Sequence, residues 1–422
     1  MTVLDRQSAV CGCEHAAKSL IDMDEAIRRV RTACTPVRGS ERVSITRCHG
    51  RILSKPVVSQ SNLPPFHNSG MDGYAVRAKD IPDHGTTTLT VCGRVAAGTS
   101  DDVTVGSGTA IRIFTGAAIP RGSDAVVMQE AVKRNGGRIR VSGPIRKGEN
   151  IRQAGEDAIA GALVLNSGCR LTPRSIAAAA ACGVDHVHVR RKLRVGLVVT
   201  GDEVATGDQQ PSANKISDVN TPMLSAALDR ADLDLTVAKW VPDTLADTRA
   251  VLASLAQNVD LIVTTGGVSV GEEDHVKPAF KSLGATIHFS GVAVKPGKPV
   301  TFGTLGSTYW LGLPGNPHSA FAIWKWLGEE ILGELAGLAG SDRTCEQVVL
   351  SHSLRHKPGR SELRPAKIIG VDPLGRKRVE TLEGVHSGRI TQLAAMDGHV
   401  IIPRNTSHCA EGTSLVFQPY DL

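Results

Sequence analysis

Leu261-Ile-Val-Thr-Thr-Gly-Gly-Val-Ser-Val-Gly-Glu-Glu-Asp274 is the stretch that decides the fold. Leu261 to Thr265 is an apolar, β-branched run of strand length, and two glycines end it. Gly266 and Gly267 free the backbone to turn and to approach a ligand with no Cβ in the way. Ser269, Gly271 and three carboxylates follow. In an open α/β sheet, ligands bind outside the carboxyl ends of parallel strands. The stretch therefore predicts a parallel strand, a place for an anionic ligand, and acids able to hold a metal or activate water.

Outward from it, strands and helices alternate from Lys192 to about Ala339. Strands are expected over residues 194–200, 235–241 and 308–313. Helices are expected from a Thr221-Pro222 cap, over 244–256, around 275–283, and after Pro317, where Phe321, Trp324, Leu327, Ile331 and Leu335 have helical spacing. A hairpin-like stretch precedes Thr308. That alternation predicts an α/β domain with a doubly wound, mostly parallel sheet.

Toward the N-terminus the texture differs. Strand-like runs at 88–91, 109–114, 125–129 and 138–141, with Asn135-Gly136-Gly137 as a hairpin turn signal, predict a β-rich module. Thr172-Pro173 opens an Ala-rich helix, with Gly183 as its stop. Met23 to Cys34 has helical spacing with Asp22 or Asp24 as cap, and residues 1–20 read as a loose leader. Toward the C-terminus, runs at 347–350, 366–369, 378–381, 400–403 and 414–418 predict a small β-barrel.

A chain of 422 residues exceeds one ordinary core. A hydrophobic share of 41% with 21% charged fits a soluble globular protein. Aromatics at 3% argue against base-stacking platforms for single-stranded nucleic acid. Lys+Arg exceed Asp+Glu by 48 − 42 = 6. The densest run, Arg190-Arg191-Lys192-Leu193-Arg194, reads as a solvated domain junction rather than a nucleic-acid patch. A mild positive field suits small anionic substrates. Nine cysteines are scattered without zinc-finger spacing, which predicts buried free thiols in a reducing compartment. With no signal-like segment and no stretch near the ~18 apolar residues of a membrane span, a cytoplasmic protein is expected.

Three strand ends carry distinctive loops: Thr200-Gly-Asp-Glu203, Thr265-Gly-Gly-Val-Ser-Val-Gly271 and Leu313-Pro-Gly-Asn-Pro317. Carboxyl ends of parallel strands share one edge of the sheet, so the three should converge. Helix N-termini behind two of them offer unpaired N–H groups to phosphate or another oxyanion. Any one loop alone is equally well a tight βα turn. No loop is a Walker A, and none is a dinucleotide fingerprint with its acidic residue. Glu203 and Asp274 lie just beyond two strand ends. Asp243 lies beyond another, where a helix N-cap would also stand. Carboxylates beside an oxyanion site suit Mg²⁺, which takes one or two of them plus substrate oxygens. Lys295-Pro-Gly-Lys-Pro299 is a restrained basic loop suited to phosphate. In the N-terminal half, Pro64 to Val76 is dense in polar and aromatic groups and includes His67 and Asp72. Loops of that kind often carry function, although a lone loop histidine is usually a surface residue.

Together these motifs resemble the MoeA family of molybdopterin molybdenumtransferases, which includes the E domain of gephyrin. The match rests on Asn68-Ser-Gly-Met-Asp-Gly-Tyr-Ala75, Ile113-Phe-Thr-Gly116, Gly155-Glu-Asp157, Thr200-Gly-Asp-Glu203, Thr265-Gly-Gly-Val-Ser-Val-Gly271, Lys295-Pro-Gly-Lys-Pro299 and Gly312-Leu-Pro-Gly-Asn-Pro317, in that order. The resemblance implies a transferase of molybdenum cofactor biosynthesis. Its substrates would be molybdate and adenylylated molybdopterin, its cofactor Mg²⁺, and its by-product AMP. It implies four domains: an elongated α+β linking domain (18–58 and 158–192), a β-rich inserted module (59–157), an α/β molybdopterin-binding domain (193–340) and a C-terminal β-barrel (341–422). It also implies a homodimer whose active cleft lies between the α/β domain of one subunit and the β-rich module of the other.

By motif match, Asp72, Glu203 and Asp274 are the expected catalytic residues, with Glu203, Asp243 and Asp274 orienting Mg²⁺ or its water. Thr115, Asp157, Lys295, Lys298 and Ser387 are expected to contact substrate. Gly266, Gly267, Ser269, Gly271 and Pro314-Gly315-Asn316-Pro317 are expected to hold pterin and phosphate. The chain departs from the family at His67, where many members have Asp, and at Gly70, where many have Ala. It also has Ile216-Ser-Asp-Val-Asn220 in place of the usual Tyr/Ser-Asp-Thr/Ser-Asn run. Two other readings share some of the motifs. The α/β domain alone also resembles the molybdopterin adenylyltransferases, and an enzyme of that kind acting upstream is the expected partner. A scaffold protein of the gephyrin E-domain type, docking a partner peptide, is the alternative from another class.

Overall fold

The computed structural model describes residues 20–99, 102–205, 215–267, 274–340, 345–382 and 390–420. The chain falls into two compact units, residues 39–190 and residues 1–38 with 191–422.

The larger unit is built on a six-stranded sheet. In space the strands run Leu233–Val241, Leu193–Thr200, Leu261–Thr265, Thr308–Leu313, Thr301–Leu305 and Thr286–Ser290. The first four are mutually parallel, and Thr301–Leu305 alone runs against the rest. The sheet is thus mostly parallel, as the alternation predicts. Every residue of Leu261–Thr265 is buried. This explains why it reads as a continuous apolar run and not as an alternating one. On one face Ile262, Leu252, Leu255, Phe280 and Trp310 form a core, with the Phe280 and Trp310 rings stacked at 3.9 Å. From Leu193–Thr200 the chain moves outward to Leu233–Val241, then returns to the other side at Leu261–Thr265. The order reverses between those strands, which makes their carboxyl ends a topological switch point.

Several helix boundaries differ from the sequence expectation. The helix Asn220–Leu228 opens one residue before Thr221, and Asp218 Oδ1 accepts the Thr221 N–H at 2.9 Å. The helix Leu245–Leu255 is capped by Thr244, whose hydroxyl accepts the Asp247 N–H at 3.1 Å. Asp243 is therefore not the cap, and its carboxyl is left for other work. The long helix after Asn316 is not regular. Pro317–Ile323 passes through a wide π-turn, Trp324–Gly328, into Glu329–Ala336. Gly328 lies against the Trp324 ring, where a Cβ would come within 2.4 Å. The N-terminal helix Met23–Ala33 is capped by Asp22, which takes the Glu25 N–H at 2.7 Å.

The Arg190–Arg194 run is not simply a solvated junction. Arg191 makes two bonds to the Asp260 carboxylate at 2.7 and 2.8 Å, and Arg194 adds its backbone N–H and a guanidinium contact. Burial works to raise the Asp260 carboxyl, but these bonds outweigh it and leave it below the usual range.

In the C-terminal part of this unit, Ser361–Val371, Lys377–Thr381, Glu346–Leu350, Ser414–Pro419 and Gly398–Ile402 close into a ring around Val348, Val379 and Phe417. Closure leaves the barrel without free edges. Val294–Lys295 adds to it as a short parallel strand, with Lys295 opposite Glu362.

The smaller unit carries a second six-stranded sheet, in the order Ala125–Met128, Gly73–Val76, Thr109–Ile113, Thr86–Val95, Arg138–Ser142, Lys133–Asn135. Asn135 pairs with Arg138 across Gly136-Gly137, the expected two-residue hairpin, and Gly136 has φ +57°. A separate core joins Cys48, Leu53 and Val57 to Leu171, Ala179, Val187 and Val189. The helix Pro173–Ala181 opens with a Thr172–Ser175 capping box. Cys34, Cys48, Cys182 and Cys409 are buried free thiols as expected, whereas Cys92 and Cys345 are exposed. No described helix is long and apolar enough to cross a membrane.

Candidate functional site

The switch point opens into a cavity of about 410 Å³. Its walls come from all three strand-end loops: Thr200, Gly201 and Glu203; Gly266 and Gly267; and Pro314 to Pro317. Asn220, Asp243 and Asp274 complete it. Glycine is required here by backbone packing. Gly266 has φ +89°, and a Cβ on it would stand 2.6 Å from the Thr200 carbonyl oxygen. Gly267 has φ +60°, with Val276 Cγ2 at 2.6 Å from the same notional atom. At Gly266 the loop meets the Thr200 backbone with no side chain between them.

Three carboxylates line this cavity. Asp243 takes its position from its own N–H, which donates to Asp202 Oδ1 at 3.2 Å. Burial, then the nearby Asp202 and Glu203 charges, push the Asp243 carboxyl above the usual range, against the pull of Thr200. No bond of proper geometry joins Asp243 to Thr200. Asp243 Oδ1 and Thr200 Oγ1 are both buried without a hydrogen-bond partner among the described residues. Glu203 folds back over Gly201, where a Cβ would come within 2.9 Å of its Oε2. Trp240 Nε1 fixes the same turn by donating to the Gly201 carbonyl at 3.1 Å. Asp274 attracts Lys277, whose ammonium is nonetheless held below the usual lysine range by burial. Among the described residues, no three His, Cys, Asp or Glu side chains gather into a group able to hold a metal alone.

Lys295 and Lys298 do not line this cavity. They line a neighbouring one of about 360 Å³ with His318, Ser319, Arg360 and Glu362, and Pro299 borders both. Gly297 has φ +104°, and Ile323 Cγ1 would lie 2.2 Å from any Cβ there, so the loop between the lysines is fixed against the helix. Glu362, with its side chain 5% exposed, anchors the cations. Arg364 reaches both its oxygens at 3.1 Å, Lys295 Nζ lies at 3.5 Å and His356 Nε2 at 3.6 Å. Burial holds His318 below the usual histidine range, so it enters this wall neutral at physiological pH.

In the smaller unit, Asp72 Oδ1 accepts both the backbone N–H and the hydroxyl of Thr115 at 2.8 Å. Those bonds hold the exposed carboxyl below the usual range. Asp157 lies on a loop whose N–H donates to the Leu63 carbonyl at 3.0 Å. His67 is not a free surface histidine: its Nδ1 accepts the Ala154 N–H at 3.0 Å, which places the ring proton on Nε2. Gly70 has the Asn150 carbonyl oxygen 3.3 Å from a notional Cβ, tight for an alanine. Ser269, Gly271 and Ser387 lie outside the described residues.

Asn220, Arg360 and Glu362 were not among the sequence candidates. Asn220 lies in the run that departs from the family pattern, Glu362 lies in a barrel strand with no motif of its own, and Arg360 immediately precedes that strand.

Along the chain, family models match in order: the MoeA N-terminal region (domain I and II) over residues 21–183, a probable molybdopterin binding domain over 196–334, and the MoeA C-terminal region (domain IV) over 347–420. The chain belongs to the MoeA family. It is similar to a molybdopterin molybdenumtransferase of Haemophilus influenzae, 30% identical over 404 residues, which span 95% of this chain and 99% of that one. It is similar to a molybdopterin molybdenumtransferase 2 of Mycobacterium tuberculosis, 32% identical over 420 residues, spanning 96% and 100%. The solved moeA protein of Pyrococcus horikoshii OT3 matches with a TM-score of 0.83 at 27% identity, over 95% of this chain and all of that one. The switch-point cavity lies in the molybdopterin-binding stretch of the MoeA match. Arg360 and Glu362 lie in its C-terminal region.

Proposed function

We propose that this chain inserts molybdenum from molybdate into adenylylated molybdopterin and releases AMP, as a transferase of molybdenum cofactor biosynthesis. One observation supports this most: two cavities of opposite character lie side by side and share Pro299. The first is lined by backbone, carboxylates and amide oxygens and suits an N–H-bearing heterocycle with its phosphates on the glycine loops. The second, with Lys295, Lys298 and Arg360, suits a tetrahedral oxyanion. Substrate and metal source would thus be held apart by a single proline loop.

The chain's own residues then have separable roles. Gly266, Gly267 and the Pro314–Pro317 loop position the adenylate. Lys295 and Lys298 hold molybdate. Asp72, fixed by Thr115, aligns the attacking group. The donor set fits Mg²⁺, because Asp243 presents a buried oxygen with no protein partner, and Mg²⁺ needs only one or two carboxylates plus substrate oxygens and water. Glu203, Asp243 and Asp274 would hold it, and when bound it would neutralise the phosphate charge. The reading also carries a homodimer, a cytoplasmic location and the four-domain division at 18–58 with 158–192, 59–157, 193–340 and 341–422.

Mass spectrometry of protein incubated with adenylylated molybdopterin tests it. AMP release that depends on molybdate, lost by about 100-fold in Asp274→Ala, is the expected result. Adenylylation of molybdopterin from ATP without molybdate would point instead to an adenylyltransferase. Full molybdenum insertion by Asp274→Ala or Asp72→Ala would refute the role given to that residue.

A further inference from the structure

Asn220 stands at the crossing of the three loops. Its Nδ2 donates to Thr265 Oγ1 at 2.9 Å and to the Gly315 carbonyl at 2.7 Å. Thr265 Oγ1 in turn donates to the Pro314 carbonyl at 3.0 Å, so toward Asn220 it acts as acceptor. A carbonyl cannot donate, so flipping the amide would set two oxygens against each other at Gly315. The orientation is therefore fixed by chemistry. Both amide hydrogens are spent on the protein, and Oδ1 is left buried with no partner among the described residues. Asn220 is 8% exposed and lines the cavity. A buried acceptor without a donor is costly, so this oxygen calls for a donor from outside the chain, a ligand or a water.

The phosphates of an adenylate offer no hydrogen to such an oxygen at neutral pH, and neither does molybdate. A pterin does, since its pyrimidine ring carries an N–H beside an amino group, a paired donor edge for two acceptors; the adenine edge of an adenylate has an amino group but no ring N–H beside it. We infer that Asn220 is a specificity-determining residue whose Oδ1 accepts an N–H of the pterin ring, while its Nδ2 locks the Thr265 and Gly315 loops around that ring. Asn316 Oδ1, also buried and unpartnered on the same wall, supplies a second acceptor of the same kind. This rests on the reading of the cavity as the pterin site.

The test crosses a change in the protein with a change in the ligand. Binding of 6-hydroxymethylpterin is compared with that of its derivative methylated at N3 and dimethylated on the 2-amino group, which has lost those N–H donors. The proteins are the wild type, Asn220→Ala and Asn220→Asp. The wild type should prefer the unmethylated pterin by about 10- to 100-fold. Asn220→Ala should lose that preference. Asn220→Asp, which keeps an acceptor but not the two donors, should retain most of it despite a lower Tm. A purely structural role for Asn220 would leave the preference unchanged in all three proteins, and that result overturns the inference. Equal binding of both ligands by the wild type also overturns it, yet leaves the cavity as a pterin site. No binding of either ligand by the wild type would bring down both.

Discussion

Two cavities of the larger unit differ in how their polar groups are left. At the switch point, Thr200 Oγ1, Asn220 Oδ1, Asp243 Oδ1 and Asn316 Oδ1 are all buried without partners among the described residues. In the neighbouring cavity Glu362, with Arg364 against it, backs Lys295 and His356. One site holds acceptors in want of a donor or cation. The other holds cations in want of an anion, restrained by a built-in carboxylate. The difference shows how one unit can prepare places for two substrates that should not exchange positions. Molybdate finds cations in the second site, and an N–H-rich ring finds open acceptors in the first.

The contrast is broken most severely by Gly266→Ala. A Cβ at φ +89°, only 2.6 Å from a backbone oxygen, cannot be relieved by a rotamer change. The variant should lose about 3 kcal/mol or more of stability, read by denaturant unfolding, and should lose pterin binding before oxyanion binding. Arg360→Glu acts on the other side. Reversing a charge that lines the basic cavity should weaken molybdate binding by about 10- to 100-fold, with a shallower salt dependence. Pterin binding at the switch point should stay within about twofold. Equal weakening of both ligands would show that the cavities are one site.

The smallest effect sharpens the comparison through pH. Asp243 has a raised pKa in the folded state, so the folded protein keeps that proton to higher pH than the unfolded chain. Above the window between the usual carboxylate value and the raised one, the ionised group costs stability. As pH falls through the window, that cost disappears. Asp243→Asn should therefore raise Tm by roughly 1–2 °C at neutral pH and by nothing in acid. It should also lose the stabilisation that Mg²⁺ gives the wild type. A neutral-pH Tm unchanged by the substitution would mean that burial does not strain this carboxylate.

Much of the scaffold was legible in the sequence. The run Leu261–Thr265 with its two glycines located a buried parallel strand. Thr172-Pro173 located a helix start, and Asn135-Gly136-Gly137 a hairpin. These signals are local: a β-branched run, a cap and a positive φ depend on residues within a few positions of one another. Where they failed, a second local choice was available. Thr244 displaced Asp243 as cap because its hydroxyl reaches the Asp247 N–H while Asp243 turns inward. The π-turn at Trp324–Gly328 left the apolar spacing intact and so gave no sign in it.

The sequence alone thus determined the order of strands and helices, the glycine turns, the closing barrel and the family. It also determined which acids and lysines stand near strand ends. Only the tertiary structure decided that Lys295 and Lys298 face a separate cavity with Arg360, and that Glu362 restrains Lys295. It alone showed that Asn220 bonds to Thr265 and to Gly315, the latter 95 residues along the chain, and is left with an open acceptor. Backbone conformation is fixed by neighbours along the chain, whereas burial, unpaired oxygens and shifted pKa values depend on neighbours in space, which periodicity and motif spacing do not record.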